Sequence, residues 1–254
     1  MGKVIFLSDV HLGVDARLSS QDREIRVCKW LASIADEISH LYLVGDIFDH
    51  WYEWREVIPA GYSRWWATLV LLQDRGVDIQ VHVGNHDLWQ YDYITREYGI
   101  PIHREPQEIS HFGYSLHVAH GDGLGPGDHG YKALKKLMTN RLAQWMLSRL
   151  HPNFTIWMMR RLSHKSREHG PDDAQWLGPQ REWLAQYAEA CQAKHPHDYY
   201  IFGHRHLPID HLLSDGRSRY INLGDWLHYE TYAVLDADGL RLESYLDQQP
   251  PIYG

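Results

Sequence analysis

The chain reads as an α/β protein that gathers one site from distant parts of its length. Two observations predict this. Apolar runs rich in β-branched or aromatic residues alternate with segments of helical periodicity, and short blocks of Asp, Asn and His follow directly on those runs. The blocks are Ser8-Asp9-Val10-His11, Gly45-Asp46-Ile47-Phe48-Asp49, Gly84-Asn85-His86-Asp87, His120-Gly121-Asp122 and Gly203-His204-Arg205-His206.

Strands are predicted at Val4 to Leu7, Leu41 to Val44, Val77 to Val83, Tyr114 to Ala119 and Tyr199 to Phe202, each ending where a block begins. Helices are predicted over Gln21 to Ile38, Tyr62 to Arg75 and Trp89 to Tyr98. Several short strands should lie between Ile102 and Ala119, and further strands between Tyr199 and Leu246. No internal repeat, low-complexity tract or Pro/Gly-rich linker divides the 254 residues, so a single domain over 1–254 is expected. Residues 121–127 (Gly-Asp-Gly-Leu-Gly-Pro-Gly) come nearest to a hinge.

Two widely spaced cysteines, Cys28 and Cys191, argue against a disulfide framework and for a reducing compartment. The start of the chain reads as a strand rather than a signal peptide, and no apolar run approaches the length of a membrane span. Phe6 stands where a myristoylation site would want Ser or Thr. A cytoplasmic protein that does not span the membrane is expected.

The donor types select the chemistry. Asp, Asn and His without thiolate suit Mn, Fe, Zn or Co rather than a structural Cys-bound zinc. Seven candidate ligands, Asp9, His11, Asp46, Asn85, His120, His204 and His206, are too many for one tetrahedral ion and suit two ions sharing a carboxylate. Two ions roughly 3.5–4 Å apart can polarise a phosphoryl group, bind the attacking and leaving oxygens and acidify a water.

In this order, Asp-x-His, Gly-Asp-x-x-Asp, Gly-Asn-His-Asp, His-Gly-Asp and Gly-His-x-His resemble the calcineurin-like metallophosphoesterase superfamily, and the blocks span residues 8 to 206. The resemblance implies a two-sheet β-sandwich flanked by helices. It implies that Asp9, His11, Asp46 and His206 hold one ion and Asp46, Asn85, His120 and His204 the other. By the same resemblance His86 protonates the leaving oxygen or stabilises the phosphoryl charge, and Asp49 orients His86.

Between the fourth and fifth blocks the composition changes. From Tyr131 to Gly170 there are nine bases and one acid, Glu168, a local +8 in a chain of net −8, so the remainder carries −16. Leu134, Leu137, Met138 and Leu142 have amphipathic helical spacing, which Trp145, Met146 and Leu150 extend. His151-Pro152-Asn153 should end that helix and Phe154 start another, giving a basic helical hairpin inserted as a cap over 128–170. Such a cap can be a solvated face packed on the core. Its apolar and cationic surface also suits an amphiphilic anionic substrate or anionic headgroups. Nucleic acid is a poorer fit, because the chain is acidic overall and the bases share their face with aliphatic surface.

Gly-Asp-Ile-Phe-Asp followed by Trp51, Tyr52 and Trp54, His-Gly-Asp followed by Asp128 and Tyr131, and this cap resemble the UDP-2,3-diacylglucosamine pyrophosphohydrolases. That resemblance implies a manganese-dependent peripheral enzyme of the inner membrane in lipid A synthesis, which cleaves its UDP-lipid substrate to UMP and 2,3-diacylglucosamine 1-phosphate. It implies substrate contacts at Asn85, His86, Asp128, Ser163, Arg167 and His204. One position departs. The best-known members carry Arg where this chain has His86, which leaves open another lipid-linked or soluble nucleotide phosphoester, or protein-phosphatase-like activity.

Overall fold

The computed structural model describes residues 2–127, 129–168, 175–246 and 250–254; within the last helix of the insertion the side chains of Arg160 and of residues 162–168 are not described. Among the described residues eleven strands form two sheets. The first holds β1 (Lys3–Leu7), β2 (Ile38–Val44), β3 (Asp78–His82), β4 (Ile102–His103), β10 (Thr231–Asp236) and β11 (Gly239–Ser244), in the order β11-β10-β1-β2-β3-β4. The second holds β5 (Gln107–His111), β6 (Tyr114–Val118), β7 (Tyr199–Phe202), β8 (Pro208–Leu212) and β9 (Arg219–Leu223), in the order β5-β6-β7-β9-β8.

Alternation along the strands explains why two sheets stack. Val4 and Phe6 of β1 meet Leu116 and Val118 of β6 and Ile201 of β7 in the layer between the sheets. Ile5 and Leu7 point the other way and pack on α1 (Ser20–Ser33) and α2 (Ser63–Asp74). Tyr200 and Phe202 of β7 likewise cover α7 (Trp183–Gln192) through Leu184 and Ala188. Both faces of the central strands are buried, hence their unbroken apolar runs.

The parallel registers decide where the blocks fall. Leu7 pairs with Leu43, Val44 with His82 and Val118 with Ile201, so the C-terminal ends of β1, β2 and β3, and those of β6 and β7, finish level. In open α/β sheets those ends carry the ligands.

Three predicted elements are corrected. The first helix ends at Ser33, because Ile38 is drawn into β2 opposite Lys3 and Glu37 accepts the Lys3 N–H at 2.9 Å. The third, α3, covers only Tyr93–Tyr98, since Trp89 bridges to Tyr52 and its indole donates to the Met138 carbonyl at 3.0 Å. The insertion has three helices rather than a hairpin. They are α4 (His129–Met138), α5 (Arg141–Ser148) and α6 (Pro152–Glu168). Asn140 breaks the first from the second by accepting the N–H groups of Leu142 and Ala143. Pro152 opens α6 rather than closing α5, a position where its missing N–H costs nothing. Both cysteines are free thiols.

Arg23 of α1 is wholly buried and ties the helix to the loop after β1. Its guanidinium donates to the carbonyls of Val10 at 2.7 Å, His11 and Val14 at 2.6 Å, and Leu18 at 3.3 Å. Replacing Arg23 by Met should strip these carbonyls of charged donors and cost about 3 kcal/mol. Guanidinium denaturation reads this directly, and a loss under about 1 kcal/mol would show that the loop is held by other means.

Candidate metal centre

The strand ends bring nine predicted residues into one cluster. β1 delivers Asp9 and His11, β2 Asp46 and Asp49, β3 Asn85 and His86, β6 His120, and β7 His204 and His206. Asp9, His11, Asp46 and His120 are buried at the floor, while Asn85, His86, His204 and His206 form a partly exposed rim. Asp128 lies outside the described residues, as do the side chains of Ser163 and Arg167.

Five of these residues have left-handed backbone: Asp9 (φ 52°), His11 (47°), Asp46 (53°), His204 (71°) and His206 (55°). Each such non-glycine residue costs on the order of 1 kcal/mol or more and persists only where its surroundings enforce it. Here the Asp9 N–H donates to the Gly45 carbonyl at 3.1 Å, His11 to Asp46 at 3.0 Å, and Trp226 to Asp9 at 3.0 Å. The neighbouring glycines are steric requirements. A Cβ at Gly84 would strike the Asp46 carboxylate, and one at Gly203 would strike that of Asp9.

Each buried carboxylate divides its oxygens. Asp46 Oδ1 accepts the His86 N–H at 2.8 Å while Oδ2 lies 3.4 Å from His120 Nε2 and 3.8 Å from His11 Nε2. Asp9 Oδ2 accepts the His204 N–H at 3.0 Å while Oδ1 lies 3.4 Å from His206 Nε2 and 3.6 Å from His11 Nε2. The inward oxygens, Asp9 Oδ1 and Asp46 Oδ2, make no hydrogen bond among the described residues. The Asn85 side-chain oxygen sits 2.8 Å from His204 Nδ1 and 3.1 Å from His120 Nε2.

The outer ring nitrogens are committed elsewhere. His120 Nδ1 donates to the Val44 carbonyl at 2.9 Å, and His206 Nδ1 lies 3.2 Å from Asp225 Oδ2, so both rings turn Nε2 inward. Asp49 Oδ1 lies 3.5 Å from His11 Nδ1 and 3.4 Å from His86 Nδ1, between the two rings.

Electrostatics marks the cluster as a cation trap. Burial opposes charge on His120, yet the Asp46 carboxylate overrides it and pushes the pKa up to about 10. Burial would raise Asp46, but His120 and His86 hold it well below the usual carboxylate range. Burial, with His120 adding to it, lowers His204 to about 4. A divalent ion answers the same negative field that a proton answers on His120. The donors of Asp9, His11 and His206 lie within 4.8 Å of one another, as do those of Asp9, Asp46 and His120, so the residues fit two adjoining cations.

Sequence reading gave no role to two residues that brace the site. Asp225 is buried and receives His206 Nδ1, His228 Nδ1 at 3.0 Å and the His228 N–H at 2.8 Å. The signal was present, since Gly224-Asp225 follows the apolar end of β9 as Gly45-Asp46 follows β2. Asp87 accepts the Gly84 N–H at 2.8 Å and the Ile47 N–H at 2.9 Å, clasping two blocks together.

Two stacked sheets with Asp, Asn and His donors at the ends of parallel strands define a calcineurin-like metallophosphoesterase. No protein-family model matches the chain. It is similar over nearly its whole length to UDP-2,3-diacylglucosamine hydrolase of Porphyromonas gingivalis, at 36% identity over 97% of this chain and 99% of that one. This places it in the UDP-2,3-diacylglucosamine hydrolase family. The enzymes of that name from Serratia proteamaculans (26% identity) and Pseudomonas paraeruginosa (28%) each match 94% of this chain and 97% of their own. Among solved structures, an archaeal phosphodiesterase aligns over 95% of this chain and 98% of its own, at 13% identity and a TM-score of 0.47.

Asp46 Oδ2 faces both His11 and His120, and the family resemblance makes this carboxylate the bridge, so in Asp46→Ala elemental analysis should find both ions lost; two retained ions would refute the shared bridge. Asp225→Asn should weaken metal binding by about 10–100-fold by releasing the His206 ring. Titration with Mn(II) checks it, and an unchanged affinity would make Asp225 a fold residue only.

Proposed function

We propose that the chain hydrolyses the pyrophosphate of UDP-2,3-diacylglucosamine to UMP and 2,3-diacylglucosamine 1-phosphate, a step of lipid A synthesis. The near-full-length kinship with hydrolases named for that substrate carries this reading. Two divalent ions, with manganese the expected pair, would supply Lewis-acid polarisation of the phosphoryl oxygens and an acidified water. Asp9, His11, Asp46 and His206 would hold one, and Asp46, Asn85, His120 and His204 the other.

His86 stands on the open rim, its side chain 17% exposed. The Asp49 carbonyl fixes its Nδ1 proton at 3.0 Å, so any proton handed to a leaving oxygen sits on Nε2. Asp49 thus sets the ring's direction. Asn85 and His204 on the same rim would meet the phosphate, and Asp128, Ser163 and Arg167 remain the proposed contacts from the cap.

The cap supports a lipid-bearing substrate. Leu137 (61%), Leu142 (63%) and Trp157 (54%) are exposed, in company with Trp145, Met146 and Phe154. Lys136, Arg141, Arg149 and Arg161 are exposed among them. Such a surface can hold acyl chains and rest on anionic headgroups, so we place the enzyme peripherally on the cytoplasmic face of the inner membrane. Among the described residues no helix is long and apolar enough to cross a membrane.

Manganese-loaded protein incubated with UDP-2,3-diacylglucosamine and, separately, with UDP-N-acetylglucosamine should release UMP only from the acylated substrate. Release from neither would point to another phosphoester, the alternative that His86 in place of Arg favours. His86→Ala should lower kcat by about 10²–10⁴-fold with metal content intact; undiminished turnover would remove His86 from the mechanism.

A further inference from the structure

The segment that leads into the cap and the helix start that follows it in the chain are both bonded to residues interleaved among the metal-type donors. On the leading segment, Asp122 stands two positions after His120 and is buried. Its Oδ2 accepts the Tyr131 hydroxyl at 2.5 Å and the Lys135 ammonium at 2.7 Å, both from α4. Lys135 also donates to the Asp122 carbonyl at 3.1 Å, and Lys132 to the Gly125 carbonyl at 2.6 Å. Beyond the cap in sequence, Glu182 is the N-cap of the core-packed α7 and lies buried. It accepts from Arg205 Nε at 2.9 Å, and Arg205 stands between His204 and His206 with its guanidinium 4.8 Å above the Trp183 ring.

The segments on either side of the cap also touch each other. A Cβ at Gly125 would collide with the Trp183 carbonyl, so the loop read from sequence as a hinge is packed against the start of α7.

We propose that Asp122 and Arg205 are positioning residues that couple occupation of the metal centre to the placement of the cap. The inference rests on the reading of the blocks as cation donors. The Arg205–Glu182 pair is buried on both sides and tolerates little misalignment, because separation leaves an uncompensated charge out of water, and the Asp122 carboxylate is buried even though its partner Lys135 is partly exposed. Fixing His120, His204 and His206 therefore fixes Asp122 and Arg205, and with them α4 and the start of α7. Linkage makes the effect reciprocal, so a seated cap strengthens metal binding by the same factor.

The test uses the full chain, Mn(II) alone, elemental analysis, and the rate of tryptic cleavage at Lys132, Lys136, Arg141 and Arg149. In the unaltered protein Mn(II) should slow cleavage about tenfold. Lys135→Met and Glu182→Gln each remove one partner from outside the donor blocks, and since Lys135 is only partly buried and Asp122 keeps the Tyr131 hydroxyl, that variant should keep its fold. Thermal melts verify folding of both. Each should still take up two ions while the slowing drops below about twofold. Metal uptake without slowed cleavage in the unaltered protein, or slowing unchanged in both variants, overturns the coupling. If the unaltered protein takes up no Mn(II), the metal-centre reading fails and the coupling falls with it.

Discussion

Negative charge held out of water at the ends of parallel strands is the constraint on which the molecule is organised. Asp9 and Asp46 are fully buried, and isolated carboxylates there would ionise only at a cost of several kcal/mol. Each spends one oxygen on the backbone of a distant block, Asp46 on His86 and Asp9 on His204. The same carboxylates therefore stitch β2 to β3 and the first sheet to the second. Their remaining oxygens face imidazoles whose outer nitrogens are already occupied by Val44 and Asp225. Site and sandwich are held by one set of bonds.

Much of this was legible in the sequence, for a physical reason. Strands buried on both faces write continuous apolar runs, and Asp, Asn and His follow immediately at their ends, so β1, β2, β3, β6 and β7 and the donor-type residues after them could be located from the sequence. The left-handed backbone at Asp9, His11 and Asp46 left no such trace beyond the tolerance of Asp and His for that region. Long-range partners were equally silent. Nothing local tells that Arg23 of α1 holds the carbonyls after β1, or that Trp89 leaves a helical pattern to bond Met138. The split of the cap into α4 and α5 was visible in Asn140, a strong N-cap, but the apolar spacing across it was equally consistent with one helix.

The chain separates its charge as it separates its roles. Acidic residues prevail in the sandwich that carries the donors, and bases in the insertion, where they neighbour exposed indoles; Arg149 lies over Trp145 at 5.1 Å and Arg161 over Trp157 at 5.3 Å. Such stacking keeps a guanidinium close to apolar surface without burying it.

That insertion also concentrates sulfur. Apart from Met1, all the methionines of the chain, Met138, Met146, Met158 and Met159, lie in α4, α5 and α6, and the donor cluster holds none. Thioether oxidation makes a flexible apolar side chain polar. An oxidant such as peroxide thus acts on this face before it reaches the strand ends, roughening the greasy surface while the Asp, Asn and His donors stay chemically intact. The exposed apolar insertion would age first, and the donor cluster would outlast it.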